Sequence, residues 1–513
     1  MARKWWTLAV VCIGVFMLLL DLTIVNVALP DIAGSFNSSL SALQWVIDAY
    51  ALALASLLLT AGTLADRNGR RLLFLIGVAI FTAGSALCGF ATGMAFLALA
   101  RGFQGIGGAI MFATSLALLS ESFKGRERGT AFGVFGAMTG LAVATGPVIG
   151  GALVTGLGWR WIFLVNIPVG FFVFVLARLK VDESRDPEPK RLDLVGFITF
   201  STGLFALIFA LIRSHHDGWS SPLVIGSLVA AAVLLGAFTA AELLRRDPMF
   251  DFKLLRVPTF DGGLTAAFAI SASIFSVLTY LILWVQGVLG LSALQAGIRF
   301  LPLSLSIFFT AAIAGRLTSF VPTRLLIAPG FVLIGIGLLL MRGLTVTSDW
   351  THLVPGMIAS GVGAGLVNVP LVATAVGVVA PRRAGMASGI NSTFRQVGIA
   401  TGIAVLGTIF ASHIRSNMVA DLAGTPAGSY AGQIADAVAS GQIRAVLARV
   451  PSAAQPAIEA AARAGFVDAL NLILLIAGVL TFVAAITSFF LIREKDFVEG
   501  QGRAARAPDV AHT

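Results

Sequence analysis

The sequence predicts an all-α membrane protein with fourteen spanning helices: two six-helix bundles, and two further helices inserted between them. Three observations predict it. The 513 residues are 57% hydrophobic and only 12% charged, with a mean hydropathy of +0.93, whereas a soluble domain carries roughly a quarter charged residues. Such a chain must be solvated by lipid. Fourteen apolar runs each come close to the roughly 20 residues that cross a bilayer. The second half also repeats the first. Because the runs are continuous rather than alternating, a small β-barrel is excluded.

The first bundle is expected over 1–180, with spans at 7–30, 43–65, 72–92, 94–119, 130–155 and 161–179. The first span follows Arg3 and Lys4 as in a signal peptide, but it is too long and contains Asp21, so it reads as an uncleaved helix. The polar stretch VDESRDPEPKRLD (181–193) opens a linker over 181–257 that holds the inserted spans, 194–213 and 222–242. ELLRRDPMFDFKLLR (242–256) closes it. The second bundle is expected over 258–495, with spans at 263–288, 296–317, 325–343, 352–378, 385–411 and 467–492, and residues 496–513 form a cytoplasmic tail. Residues 413–465 are Ala-rich and polar, punctuated by Pro426, Pro451 and Pro456. Ile434, Val438, Ile443, Val446 and Leu447 recur there at helical spacing, which predicts a short amphipathic helix on the outer surface.

The duplication is legible residue by residue. GTLADRNGRR (62–71) lies between two apolar runs, and GRLTSFVPTR (315–324) is its degenerate counterpart. Gly62 aligns with Gly315, Asp66 with Ser319, Gly69 with Pro322 and Arg71 with Arg324. At an offset of 256, Gly105 meets Gly361, Gly129 meets Gly385, Gly133 meets Gly389, and Ala144-Thr145-Gly146 meets Ala400-Thr401-Gly402. A loop motif repeated across two halves of so apolar a chain points to a duplicated membrane carrier.

The net charge of +10 is topological. With the amino terminus taken as cytoplasmic, 25 of the 35 Lys and Arg fall on that side, eight in outer connections, and Arg101 and Arg395 within spans. That is the positive-inside pattern, with both termini cytoplasmic in a multi-pass protein of the cell membrane. It leaves no case for nucleic acid as a partner. Cys12 and Cys88 both lie in spans and give neither a disulfide framework nor a metal spacing. No nucleotide or metal motif is present and no cofactor is expected, so any energy must come from an ion gradient. A catalytic constellation is likewise absent from the sequence, which argues against an enzyme.

Asp21 lies nine residues before Pro30, about 14 Å deep at 1.5 Å per residue. A carboxylate at that depth costs at least a few kcal/mol, so it must be protonated, paired or turned to a cavity. Arg101, seven residues beyond Met94, lies about 10 Å deep by the same rise and is the natural partner. It is a fixed positive charge, and moving it would change the proton affinity of a nearby acid. A permanent structural ion pair is the plainer alternative. Asp48 lies nearer an outer end, suited to a cationic substrate, to a second proton, or to a wetted cavity mouth. Asp66 and Arg70 sit in the loop motif where the bundles can touch. A carboxylate there can accept from the amino end of a neighbouring helix and so bias one of two states. Asn368, Asn391, Arg395 and Gln396 place polar groups in the second bundle, as cavity wall or as interhelical hydrogen bonds.

Four motifs carry a family resemblance: LDLTIVNVALP (20–30), GTLADRNGRR (62–71), LARGFQGIGGA (99–109) and ATGPVIGG (144–151). Together they resemble the major facilitator superfamily in its fourteen-helix drug:proton antiporter branch, the EmrB/QacA type, over nearly the whole length. The resemblance implies the major facilitator fold and proton-coupled export of drug-like amphipathic compounds. Export of one metabolite or of a self-made antibiotic is the alternative, and a non-transporting sensor or scaffold is a reading from another class. It implies proton coupling at Asp21 with Arg101, and a gating loop of Gly62, Asp66, Arg67, Gly69, Arg70 and Arg71. It marks Gly146, Pro147, Gly150 and Gly151 as a kink found in exporters; Pro also removes a helix hydrogen bond and Gly permits close approach. Asp48, Asn26, Gln104, Asn368, Asn391 and Arg395 complete the set as candidates for the substrate cavity. Ser306 and Arg395 stand where some pumps of dicationic drugs carry acids, which argues against divalent cations as cargo. The partners expected are a small organic substrate, protons and membrane lipid. The chain is expected to act as a monomer, with accessory export proteins still compatible.

Overall fold

The computed structural model describes residues 3–36, 40–123, 125–185, 193–245, 250–318, 320–380, 383–425, 428, 431–439 and 455–498. Among these, regular structure is helical throughout. Eleven helices are long and apolar enough to cross a bilayer, and three shorter apolar ones, Val148–Leu157, Leu301–Leu317 and Arg324–Leu340, stand where the remaining expected spans fall.

The first half is α1 (Arg3–Phe36), α2 (Leu40–Asn68), α3 (Arg70–Gly89), α4 (Met94–Ser122), α5 (Gly125–Leu157), α6 (Trp161–Leu164) and α7 (Asn166–Lys180). Two buried clusters bind these helices, one around Leu18, Phe74, Phe81 and Phe132, the other around Ile24, Val46, Leu97 and Phe163. The break between α2 and α3 is set by Gly69, whose φ of +117° is a backbone region costly for any residue with a Cβ. A Cβ there would also lie 2.8 Å from the Glu183 carboxylate. That carboxylate accepts from the backbone N–H of Arg71 and of Leu72, at 3.0 and 3.1 Å, and so serves the open amino end of α3.

The inserted hairpin is α8 (Leu194–Asp217) and α9 (Pro222–Leu244). Asp193 caps α8 by accepting from Gly196 N–H at 2.6 Å, and Gly218 turns the chain at a φ of +78°. Pro222 opens α9, where its missing N–H is no loss. α8 packs against α2 and against α16 (Ala384–Asp421), and α9 packs against α8. Leu223, Ile225, Val229, Val233 and Leu244 of α9 are exposed, an apolar face suited to lipid.

The second half continues with α10 (Pro258–Ile270), α11 (Ser276–Leu283), α12 (Ala293–Arg299), α13 (Leu301–Leu317), α14 (Arg324–Leu340), α15 (Val354–Gly377), then α16, α17 (Ala431–Ala439) and α18 (Gln455–Leu491). Its core gathers around Trp284, Phe331, Phe410 and Phe466. Two π-turns, Ser271–Phe275 and Trp284–Val288, interrupt the α10–α11 span.

The outer segment differs in one respect from the sequence expectation. α16 runs ten residues past 411, and α18 starts at 455 rather than 467. The extra turns of α16 meet no Gly or Pro before Gly424, those of α18 are Ala-rich, and Pro456 sits in the first turn of α18, where proline is tolerated. Ile434 and Val438 of α17 are buried against the second core. Ile443, Val446 and Leu447 lie outside the described residues, as does the tail beyond 498.

The bundles meet through α2 on α16 and α5 on α13. Both contacts are made by glycines on the side of the GTLADRNGRR loop. Gly62 faces Gly385 and Gly389, and Gly315 faces Gly129 and Gly133. With no side chains between them, backbones come into direct contact.

Candidate functional site

Asp21 is the centre of a buried polar cluster drawn from three helices. Its Oδ2 accepts from Arg101 at 2.5 Å, and its Oδ1 accepts from the Gln104 amide at 3.0 Å and the Asn166 amide at 2.9 Å. All three neighbours are donors, so the carboxylate acts as acceptor on both oxygens. Arg101 is held in turn. It donates to Gln104 Oε1 at 2.8 Å and to the Val46 carbonyl at 3.2 Å, and its guanidinium lies 4.2 Å from the centre of the Tyr50 ring. Asn166 also donates to Ser85 Oγ at 3.0 Å. Asp21 and Arg101 are each about 1% exposed. Burial on this scale is tolerable because every charge is paired and hydrogen-bonded.

The cluster places one candidate differently and adds a residue. Gln104, placed on the cavity wall by its motif, is 0% exposed and belongs to the ion-pair cluster, because its amide fits between Asp21 and Arg101. Asn166 was missed. A lone Asn entering an apolar span just after GWRWIFLV (158–165) was the available signal, since a buried amide needs a partner.

The loop motif builds a second constellation. Asp66 is 7% exposed, and its two carboxylate oxygens accept from the backbone N–H of Gly385 at 3.1 Å and of Met386 at 3.0 Å. These are open donors at the start of α16. A carboxylate of the first bundle thus caps a helix of the second, at its positive end. Arg70 donates to Asp66 at 2.9 Å and to Glu121 on α4 at 3.3 Å, and Arg71 donates to the Val181 carbonyl at 3.1 Å. Gly62 and Gly69 have the contacts described above, and Arg67 is half-buried. Just behind the cap, Arg383 donates to Asp251 at 2.8 Å. Burial alone would raise the Asp251 pKa, but the hydrogen bonds from Arg383 and the Lys253 amide, with the charges of both residues, hold it below the usual carboxylate value.

The remaining candidates are dispersed. Asp48 is half-buried on α2, with Arg213 of α8 as the charge acting on it. Arg395 donates to Asn368 at 2.7 Å, joining α16 to α15, and both are half-buried. Asn391 is buried, and its amide nitrogen has no hydrogen-bond partner among the described residues, as is true of Ser388 and Ser392 Oγ beside it. Gly146 brings α5 against Thr23 of α1, Gly151 lies near Leu294, and Gly150 is buried. α5 continues through this point as one helix. The side chains of Asn26 and Pro147 lie outside the described residues.

Comparison with known proteins agrees with this architecture. The sequence pattern of the Major Facilitator Superfamily matches residues 11–403. The chain is 37% identical over 413 residues to the multidrug resistance protein Stp of Mycobacterium tuberculosis, covering 80% of this chain and 77% of that protein. It is 36% identical over 412 residues to the puromycin resistance protein pur8 of Streptomyces alboniger, covering 79% and 82%. It is 35% identical over 435 residues to a probable actinorhodin transporter of Streptomyces coelicolor, covering 82% and 75%. Its fold is similar to the crystal structure of the human organic anion transporter MFSD10 (TETRAN), with a TM-score of 0.59 at 16% identity, covering 93% of this chain and 99% of that one.

Proposed function

We propose an export function from the premise that this chain belongs to the Major Facilitator Superfamily. It is a transporter, not an enzyme. It exports amphipathic drug-like organic compounds from cytoplasm or inner leaflet, in exchange for protons. The reading is supported by its relatives, named for multidrug resistance, for puromycin resistance and for tetracenomycin C resistance and export.

The observation that carries proton coupling is the Asp21 cluster. It holds a titratable acid, a fixed guanidinium and two amides in a closed site, with no second acid at hydrogen-bond distance among the described residues. A proton reaching Asp21 removes its charge while that of Arg101 stays, and the pair loses its attraction. Two conformations that differ in the distance between α1 and α4 then differ in proton affinity. That difference couples the proton to the conformational change, and a substrate that also discriminates between the two conformations is thereby coupled to the proton.

The glycine contacts and the Asp66 cap support a state closed at this end of the bundles. That end carries the positive-inside charge, so it is assigned to the cytoplasm, with both termini cytoplasmic in the cell membrane. Closure there fits a carrier awaiting protons from outside. The chain works as a monomer.

The test is efflux in inverted membrane vesicles. Dye uptake driven by an imposed proton gradient and abolished by an uncoupler is expected. Uptake indifferent to the uncoupler overturns proton coupling, and uptake confined to one compound favours export of a single self-made metabolite.

A further inference from the structure

The inserted hairpin places charged groups beside α2. Thr60 of α2 and Ser201 of α8 share a hydrogen bond at 3.0 Å, which fixes the register of two antiparallel helices. Twelve residues from that bond toward the outer end, α2 places Asp48 and α8 places Arg213, each about 18 Å along its helix. Leu52 and Ala55 pack against Leu204 and Ile208 in between, and the Trp45 and Phe209 rings lie 6.0 Å apart beyond them. Matching register and packing bring Arg213 opposite Asp48, and Arg213 is the charge that acts on it. Yet Asp48 has no hydrogen-bond partner among the described residues. Arg213 instead gives its fork to Asp217, one turn along α8, at 2.8 and 3.0 Å. All three side chains are only partly buried: Asp48 is half-buried, and the side chains of Arg213 and Asp217 are 27% and 25% exposed. α8 also reaches the second bundle, where its cluster takes in Val397 and Ala400 and Trp219 donates to Thr408 at 2.8 Å.

We propose that Asp217 is a specificity-determining residue. By holding Arg213 in a two-point pair it leaves the Asp48 carboxylate free for a lipophilic organic monocation on its way out. The inference rests on the reading that Asp48 lines the transport path. Two carboxylates share one guanidinium, so the cluster keeps a surplus negative charge, and the pairing within α8 decides that Asp48 carries it. Without Asp217, Arg213 turns to Asp48 and competes with the cargo. The inserted helices thereby become part of the selectivity apparatus rather than a connection between bundles.

The experiment measures KM and kcat for ethidium efflux in inverted vesicles. Asp217→Asn is expected to raise KM about three- to fivefold, the range a partly exposed ion pair supports, with kcat unchanged. Arg213→Gln in the same chain is expected to restore it. An unchanged KM in Asp217→Asn, a loss of kcat alone, or failure of the double variant to recover overturns the proposal, as does a wild-type protein that exports no monocation. Asp48→Asn separates the two levels. If it leaves ethidium KM unchanged, Asp48 is not in the path and the underlying reading falls. If it raises KM while Asp217→Asn does not, only the role of the hairpin falls.

Discussion

Gly62 of α2 and Gly385 of α16 touch backbone to backbone, and their counterparts in the sequence repeat, Gly315 and Gly129, do the same on the opposite side of the molecule. One two-fold relation therefore generates both contacts that hold the bundles together at this end. A Cβ on Gly385 would lie 2.5 Å from the Gly62 carbonyl oxygen and 2.6 Å from Asp66 Oδ1, and one on Gly315 would lie 2.6 Å from Gly133 Cα. Apart from the Asp66 carboxylate, the atoms met at these two points are backbone, which cannot swing aside as a side-chain tip can.

Gly385→Ala and Gly315→Ala are accordingly expected to disfavour the state closed at this end by about 1–3 kcal/mol, the usual cost of overpacking. Accessibility reports it. In a background with Cys12 and Cys88 replaced by alanine, a cysteine at the buried position Ser388 should react faster with a cytoplasmic thiol reagent once Gly385→Ala is added. Unchanged reactivity counts against the closed-state assignment.

Asp66→Ala should slow transport without preventing insertion. It removes the acceptor for Gly385 and Met386 and one partner of buried Arg70. A helix cap is worth about 0.5–2 kcal/mol, which is about a 2- to 30-fold shift in the balance of states. Efflux rate and expression level in the same membranes check it, and a normal rate would remove Asp66 from gating.

Asp21→Asn should abolish accumulation against a gradient while leaving downhill exchange of substrate partly intact. Asn cannot titrate. Its amide also sets a donor against Arg101, Gln104 or Asn166, at about 1–3 kcal/mol for an unmatched buried group. Wild-type accumulation with unchanged pH dependence would move the proton site elsewhere, with Asp48 the next candidate.

The Asp251–Arg383 pair lies outside the spans and predicts a pH effect of known sign. The folded-state pKa of Asp251 is held below its ordinary value, so its contribution to stability is present above the unfolded pKa and is lost as pH falls through the folded one. Asp251→Asn should remove that acid-side component from thermal unfolding between about pH 5 and 2. An identical acid profile in the two proteins contradicts it.

The orientation is checked by labelling. Ala423→Cys should react with an impermeant maleimide on intact cells, and Asn68→Cys only after permeabilisation. The reverse pattern inverts the topology.

The spans were readable because lipid imposes one rule on every segment, apolar length, and a repeat in the sequence becomes a repeat in space. The Asp21–Arg101 pair was also within reach: two charges at matching depth in adjacent spans have few other partners. Contacts that depend on the angle at which helices meet were not readable. Asn166 reaches Asp21 from 145 residues away, and Glu183 serves the start of α3 from just beyond the end of α7. In the sequence Arg213 is one of eight cations in outer connections, and the Thr60–Ser201 bond that sets the register of α8 against α2 has no sequence signal. Apolar periodicity says which face of a helix is buried, and it does not say which neighbour the face meets.

The Asp21–Arg101 pair has an electrical consequence. As found, its charges sum to zero, and a proton on Asp21 leaves one positive charge inside the membrane. Displacing a unit charge through 100 mV is worth about 2.3 kcal/mol. In the proposed cycle, a potential negative inside therefore pulls the proton-loaded carrier toward the cytoplasm and leaves the return of the ion pair untouched. Exchange of one proton for a neutral compound then draws current, and exchange for a monocation does not. A single carrier would tap the voltage for some of its cargoes and only the pH difference for others.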